Sequence, residues 1–388
     1  MRVRNRFLNN RRHNKQQAFW FVRPRVIYRH SCLGRNIVRP EYTVSSRAFD
    51  IAYIDRTRTL DVGFPYEVRQ ELPDFRVPFK QNFDSLVNHR ALELFEVAQS
   101  AGRPLTVFWS GGIDSTLALC ALLKHWKGVR RKVPLRVLLS KSSIDEYPWF
   151  FENIVRPRCE YNLITALVSY QVYDGIAVTG ELGDQVFGLL VAILNEDGSD
   201  FGLLQQPYRP FLQKILSDAY RSLVRERNRH DLSRAFGTTD PDAVAKRVID
   251  YLSPQLAACP FPIETVHDFL WWVQISLKWQ AKELQDVHPY IKRFNDRYIQ
   301  HFFNTPSFQM WSYHNRQRTI RGTWTSYKWQ AKAYIAAETG DEGYASSKLK
   351  HNSKQHVTRD IRSIFRMRTR YKALLADGRV IRHLKKLN

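Results

Sequence analysis

The sequence predicts an α/β protein with a doubly wound parallel sheet followed by a mainly helical region. Short apolar runs at 104–109, 134–139 and 175–178 read as buried strands, and helical patterns lie between them. Strands that alternate with helices imply a parallel sheet with right-handed crossovers. Small-residue loops come after the first and third runs, at the carboxyl ends of strands where such sheets bind their ligands.

From the amino terminus, residues 1–40 form a basic arm in which Phe19, Trp20 and Phe21 either stack on bases or pack on the body of the protein. Residues 41–80 form a small strand-containing segment and linker. Within it, 49–54 and 59–62 look like strands around a turn at 55–58, and Pro65, Pro73 and Pro78 punctuate the linker. Residues 82–101 predict a helix, with Asn82 or Asp84 as its cap and Gly102 just past its end. A helix over 114–126 comes after the first strand, and another over 161–172 after the second. Beyond Gly188 the pattern is helical at 211–225, 241–252, 264–284, 286–303 and 326–338, with Trp271, Trp272 and Trp279 at core spacing. The main domain is therefore expected at 81–347, with 348–388 as a basic carboxyl tail.

The chain has 388 residues, 44% of them hydrophobic, which suits two or three folded domains and excludes a disordered protein. Its formal charge is +23, and residues 1–39 and 348–388 together hold 22 of that excess while the middle is nearly neutral. Such ends either neutralise RNA or DNA phosphates, with affinity that falls as salt rises, or act only as solubilising extensions. Cys32, Cys120, Cys159 and Cys259 lie far apart with no CxxC pair. That scatter indicates neither structural zinc nor a disulfide framework and fits a reducing, cytoplasmic setting. The apolar runs near the start fall far short of the roughly 20 residues of a membrane span. The acid-free leader is rich in Asn and Gln and poor in Ser, so it reads as an arm rather than an organelle transit peptide.

The chemistry concentrates in two motifs. Ser110-Gly111-Gly112-Ile113-Asp114-Ser115-Thr116 sets two glycines, three hydroxyls and the open amides of a helix start directly after a strand. Helix-terminal N–H groups and the helix dipole attract phosphate, and small residues let the main chain wrap it. No GK[ST] is present, which excludes the Walker loop. Asp114 would repel a phosphate, and its carboxylate suits a Mg²⁺ beside one. The second motif, Gly180-Glu181-Leu182-Gly183-Asp184-Gln185-Val186-Phe187-Gly188, comes after another buried strand. Asp114 and Asp184 on adjacent loops can share one Mg²⁺ and neutralise a triphosphate.

SGGIDST resembles the pyrophosphate loop of the N-type ATP pyrophosphatases, and GELGDQVFG is similar to the GEGADELFGG segment of their asparagine synthetase branch. Three further similarities are weaker: 286–306 to the R-x-PFLD stretch, 327–332 to the K-xx-LR helix, and 348–352 to the RxKxGF segment. The resemblance covers about residues 80–352 and implies an adenine nucleotide alpha hydrolase-like sheet, ATP and Mg²⁺ as ligands, and cleavage between the α and β phosphates. It implies that Ser110, Gly111, Gly112, Asp114, Ser115 and Thr116 hold pyrophosphate with Gly180 and Glu181 beside them, and that Asp114 and Asp184 bind the metal. Lys350 or Lys328 would stabilise charge at the α phosphate.

This sequence departs from that family in places that bear on substrate. It starts Met1-Arg2, without the catalytic Cys that opens a glutaminase domain. Leu182 and Gly183 replace a Gly-Ala pair, and Gln185 replaces an acid, so the acceptor need not be aspartate. Two classes of function stand: an AMP-forming synthetase with an unidentified acceptor and nitrogen source, or a nucleic-acid-binding protein or tRNA/DNA base-modifying enzyme on the same fold. Scattered cysteines disfavour base thiolation. Oligomeric state stays open.

Overall fold

The computed structural model describes residues 38–129, 133–163, 175–188, 201–225, 229–285, 299–318 and 326–348. They fall into two compact units, Met1–Glu71 with Leu212–Ala257, and Leu72–Phe211 with Ala258–Asn388. This division cuts across the linear segmentation at 40, 80 and 347, because a piece of the helical region joins the front of the chain. The basic arm up to residue 37 and the tail beyond Lys348 lie outside the described residues.

In the first unit the chain opens with the helix Pro40–Ala48, which has proline at its first position. The strands expected at 49–54 and 59–62 do not form. Asp55 explains the difference: its buried carboxylate accepts the backbone N–H groups of Thr57 (2.9 Å), Thr59 (2.8 Å) and Leu60 (2.9 Å) and folds the segment into a closed loop. Phe49, Ile51, Ala52, Tyr53 and Ile54 are all buried. Burial of every residue but Asp50, rather than sheet pairing, is what gave that run its strand-like look. Glu41 and Arg247 (2.8 Å) tie the opening helix to the helix Pro241–Ala257.

The second unit is an α/β body around a five-stranded sheet: β1 (Leu105–Phe108), β2 (Leu135–Leu139), β3 (Glu160–Leu163), β4 (Ile176–Thr179) and β5 (Ile299–His301). All pairings are parallel, in the order β3-β2-β1-β4-β5, so the sheet grows outward in both directions from β1. β1, β2 and β4 are the three apolar runs. β3 and β5 correct two helix expectations: 160–163 is strand where a helix was expected over 161–172, and 299–301 is strand where one was expected over 286–303. Both are edge strands, and β3 is exposed or half-exposed throughout, so neither shows the apolar run of a buried strand. Residues 164–174 and 286–298 lie outside the described residues.

The helix Phe83–Ser100 is capped by Asn82, whose side chain accepts the Ser85 N–H at 2.8 Å. From this helix Arg90 donates to the carbonyls of Phe302 (3.1 Å) and His301 (3.3 Å), fixing the end of β5. The long helix expected at 264–284 is present as Val266–Val273, a π turn at Gln274–Lys278, and Trp279–Gln285. Trp271, Trp272 and Trp279 are fully buried, as their spacing suggested. Among the described residues no helix is long and apolar enough to cross a membrane.

Candidate functional site

Strand order reverses between β1 and β4, and the parallel register Val107↔Val178 brings the carboxyl ends of both strands level. The two motif loops therefore emerge side by side at the position where open α/β sheets bind ligands.

After β1, Ser110-Gly111-Gly112 turns into the helix Ile113–Val129. Gly111 has φ +78°, and a Cβ there would lie 2.4 Å from the Ser143 carbonyl oxygen, so only glycine fits. The loop is cross-braced. Ser110 N–H donates to Ser115 Oγ (3.0 Å), the two serine hydroxyls lie 2.9 Å apart, and Gly112 N–H reaches Ser110 Oγ at 3.3 Å. Thr116 belongs to the core instead: its buried hydroxyl accepts the Trp109 indole N–H at 2.9 Å and ties the end of β1 to the helix.

After β4, Gly180 passes so close to that helix start that a Cβ would sit 2.6 Å from Ser115 N. Leu182 takes the left-handed conformation (φ 71°) where the resembling motif has glycine. Its side chain is 1% exposed. The strain of about 1–2 kcal/mol is offset by about 2 kcal/mol from burying a whole leucine. Gln185 is buried, and its amide donates to Gln274 Oε1 at 3.1 Å.

Asp114 and Asp184 meet at one point. The Lys328 ammonium lies 2.6 and 2.5 Å from the two Asp114 oxygens and 2.7 Å from Asp184 Oδ1, and Lys328 is fully buried. Its backbone is left-handed (φ 58°), and the ammonium stands 5.6 and 5.5 Å from the ring centres of Phe187 and Tyr327. The Tyr327 hydroxyl donates to Asp184 Oδ1 at 3.4 Å. Burial, then the Asp184 and Asp114 charges, raise the Tyr327 phenol well above its ordinary value, so it stays a donor.

Two more lysines flank the loop. Lys348 Nζ binds Glu146 through Oε1 (2.5 Å) and the carbonyl (2.9 Å), and a Cβ on Gly111 would lie 2.7 Å from Glu146 Cβ. Lys332, one turn beyond Lys328 on the helix Trp329–Thr339, is fully buried. Burial first, then the charges of Lys328 and Lys348, push it down to about 8. The unfolded chain holds that proton up to the ordinary lysine value of 10.5, so the unfolded state binds more protons between these values and this group's contribution to stability rises with pH there. Urea denaturation of wild type and Lys332→Met from pH 8 to 10.5 should show the stability difference between them shift in the wild type's favour as pH rises, against a common fall from the cysteine thiols that burial pushes up.

At the β4–β5 edge a separate network forms. His301 Nε2 faces the Glu283 carbonyl (2.9 Å), which sets the neutral tautomer, and Nδ1 accepts the Thr179 hydroxyl at 2.6 Å. Burial holds His301 below its ordinary value. Glu181 pairs with Lys282 at 3.1 Å. Burial opposes its ionisation, but the Lys282 ammonium beside it outweighs that and holds it below the usual carboxylate range.

The structure thus brings together Ser110, Gly111, Gly112, Asp114, Ser115, Gly180, Asp184 and Lys328, with Glu181 on the same loop; Lys350 lies outside the described residues. Sequence reasoning had not singled out Glu146, Lys282 or His301, and it met Tyr327 and Lys332 only as members of the 327–332 stretch that resembles the K-xx-LR helix, with no role assigned to either. Among the described residues no group of three or more His, Cys, Asp or Glu could hold a metal by itself. Asp114 and Asp184 converge on one cation, the Lys328 ammonium, and two carboxylates are oxygen donors of the kind Mg²⁺ takes. Compared with known proteins, the chain matches no family model and no curated protein.

Proposed function

We propose that the second unit is an ATP-dependent adenylating synthetase of the N-type ATP pyrophosphatase kind, resembling the asparagine synthetase synthase domain. The observation that carries this reading is the convergence of Asp114 and Asp184, from loops on either side of the strand reversal, within 2.7 Å of one cation. The order β3-β2-β1-β4-β5 supports the finer assignment to an adenine nucleotide alpha hydrolase-like sheet. In this reading Ser110, Gly111, Gly112 and Ser115 cradle the β and γ phosphates of ATP, with Gly180 close against them, while Asp114 and Asp184 hold Mg²⁺. Mg²⁺, when bound, neutralises the polyphosphate and eases departure of pyrophosphate. An acceptor oxygen attacks the α phosphorus, the bond to the bridging oxygen breaks, and pyrophosphate leaves with its electron pair. Ammonia or an amine then displaces AMP. Lys328 and Lys350 are the candidates to stabilise charge at the α phosphate.

The 22 excess charges in the two ends favour RNA or DNA as acceptor or partner. Free Cys120, Cys159 and Cys259 support a reducing, cytoplasmic setting. The test is release of AMP and pyrophosphate from Mg·ATP by full-length protein, with amino acids, ammonium, RNA or DNA supplied in turn. Equal yields of the two products are expected with one of these acceptors, and stimulation by nucleic acid identifies a base-modifying enzyme. No AMP with any acceptor, alongside tight nucleic-acid binding, would replace this reading with the binding-protein one.

A further inference from the structure

The Asp114–Asp184 pair already has a cation of its own. Lys328 reaches it from 214 residues away in sequence, contacts both Asp114 oxygens and Asp184 Oδ1 within 2.7 Å, and is wholly withdrawn from water. Mg²⁺ binds oxygen at about 2.0–2.1 Å, so a divalent ion shared by these carboxylates would stand where the ammonium now stands. Gly183 shows how tightly the place is built: a Cβ on it would lie 2.3 Å from the Asp114 carboxyl carbon. The carboxylate has little room to turn aside and serve two cations at once.

We propose that Lys328 and a divalent cation occupy the Asp114–Asp184 pair exclusively, so that the site admits metal only as a metal–polyphosphate complex and rejects the free ion. The inference rests on the reading of this pair as the metal locus under Proposed function. Its physical basis is the fate of the displaced ammonium. A free ion would take both counter-charges from a buried lysine and leave it unpaired, and stripping one partner from a buried ion pair is strongly destabilising. A metal-bound polyphosphate takes the carboxylates and supplies Lys328 with new anionic oxygens in the same event. The complex binds better than its parts because it leaves the buried Lys328 ammonium with counter-charges throughout.

Mn²⁺ binding to nucleotide-free full-length protein, read by electron paramagnetic resonance, tests this. Wild type should bind Mn²⁺ weakly, and Lys328→Met should bind it at least about tenfold more tightly, since the competing charge is gone. Asp184→Asn placed on top of Lys328→Met should abolish the gain and so locate it at the pair. Equal Mn²⁺ affinity in wild type and Lys328→Met overturns the proposal. A second measurement needs no variant. Mn²⁺ alone should leave the wild-type melting temperature unchanged, while Mn²⁺ with α,β-methylene ATP should raise it; an equal rise with Mn²⁺ alone overturns the proposal even if the Met variant does not fold. Absence of AMP release together with the Lys328-dependent Mn²⁺ gain would sink the synthetase reading and leave this exclusion standing.

Discussion

Asp114→Ala should abolish AMP and pyrophosphate release, by about a thousandfold, the scale on which losing one preorganised charge-stabilising group acts. The same change should destabilise the protein. Lys328 is fully buried and Asp114 holds it through both oxygens, so removing Asp114 leaves Asp184 as the remaining carboxylate of the pair. Breaking a buried pair costs about 3–5 kcal/mol, and the surviving Asp184 contact puts the expected loss at about 3 kcal/mol. Thermal unfolding measures the second effect and a coupled pyrophosphate assay the first. Retained cleavage in a folded Asp114→Ala protein would mean that this loop does not hold the reacting phosphates.

Gly180→Ala should be nearly as damaging without touching any charged group. The new methyl would meet Ser115 N at 2.6 Å and the Asp114 carbonyl carbon at 2.9 Å, both backbone atoms at the start of a packed helix. Neither can rotate away, so the β4 loop must move back from the β1 loop and separate Asp184 from Asp114. Overpacking of this kind costs about 1–3 kcal/mol, and nucleotide affinity should fall with it. Gly102→Ala is the contrast: φ is +61° there but nothing lies within 4 Å, so only left-handed strain of about 1 kcal/mol applies. Denaturant titrations of the two variants, with nucleotide binding measured alongside, check the pair. A Gly180→Ala protein as stable as wild type with unchanged nucleotide binding would show that the close approach of the loops does not set the site.

Parts of this fold were legible because their signals are local. β1, β2 and β4 are apolar runs with at most one half-exposed residue, and the helix Phe83–Ser100 carries its own cap. β3 was not legible, because Glu160-Tyr161-Asn162-Leu163 pairs on one side only, with β2, and has no wholly buried face. The run from Phe49 to Ile54 misled in the opposite direction: every residue of it but Asp50 is buried, yet the chain turns into a closed loop in which Asp55 accepts the amides of Thr57, Thr59 and Leu60 and no ladder forms. In the site, the glycines and carboxylates announced themselves by position after strands. The pairing of Glu146 with Lys348 did not, since it joins residues 202 apart.

By itself the sequence determined the parallel α/β class, the two loops after β1 and β4, and the chemistry those loops can offer, because alternation, apolar runs and glycine placement are properties of neighbouring residues. Only the tertiary structure decided that the strand order reverses between those loops, that Thr116 serves the core, and that Lys328 stands between Asp114 and Asp184. Those outcomes depend on which distant elements pack together. A buried ammonium is tolerated only where folding has brought its counter-charges beside it.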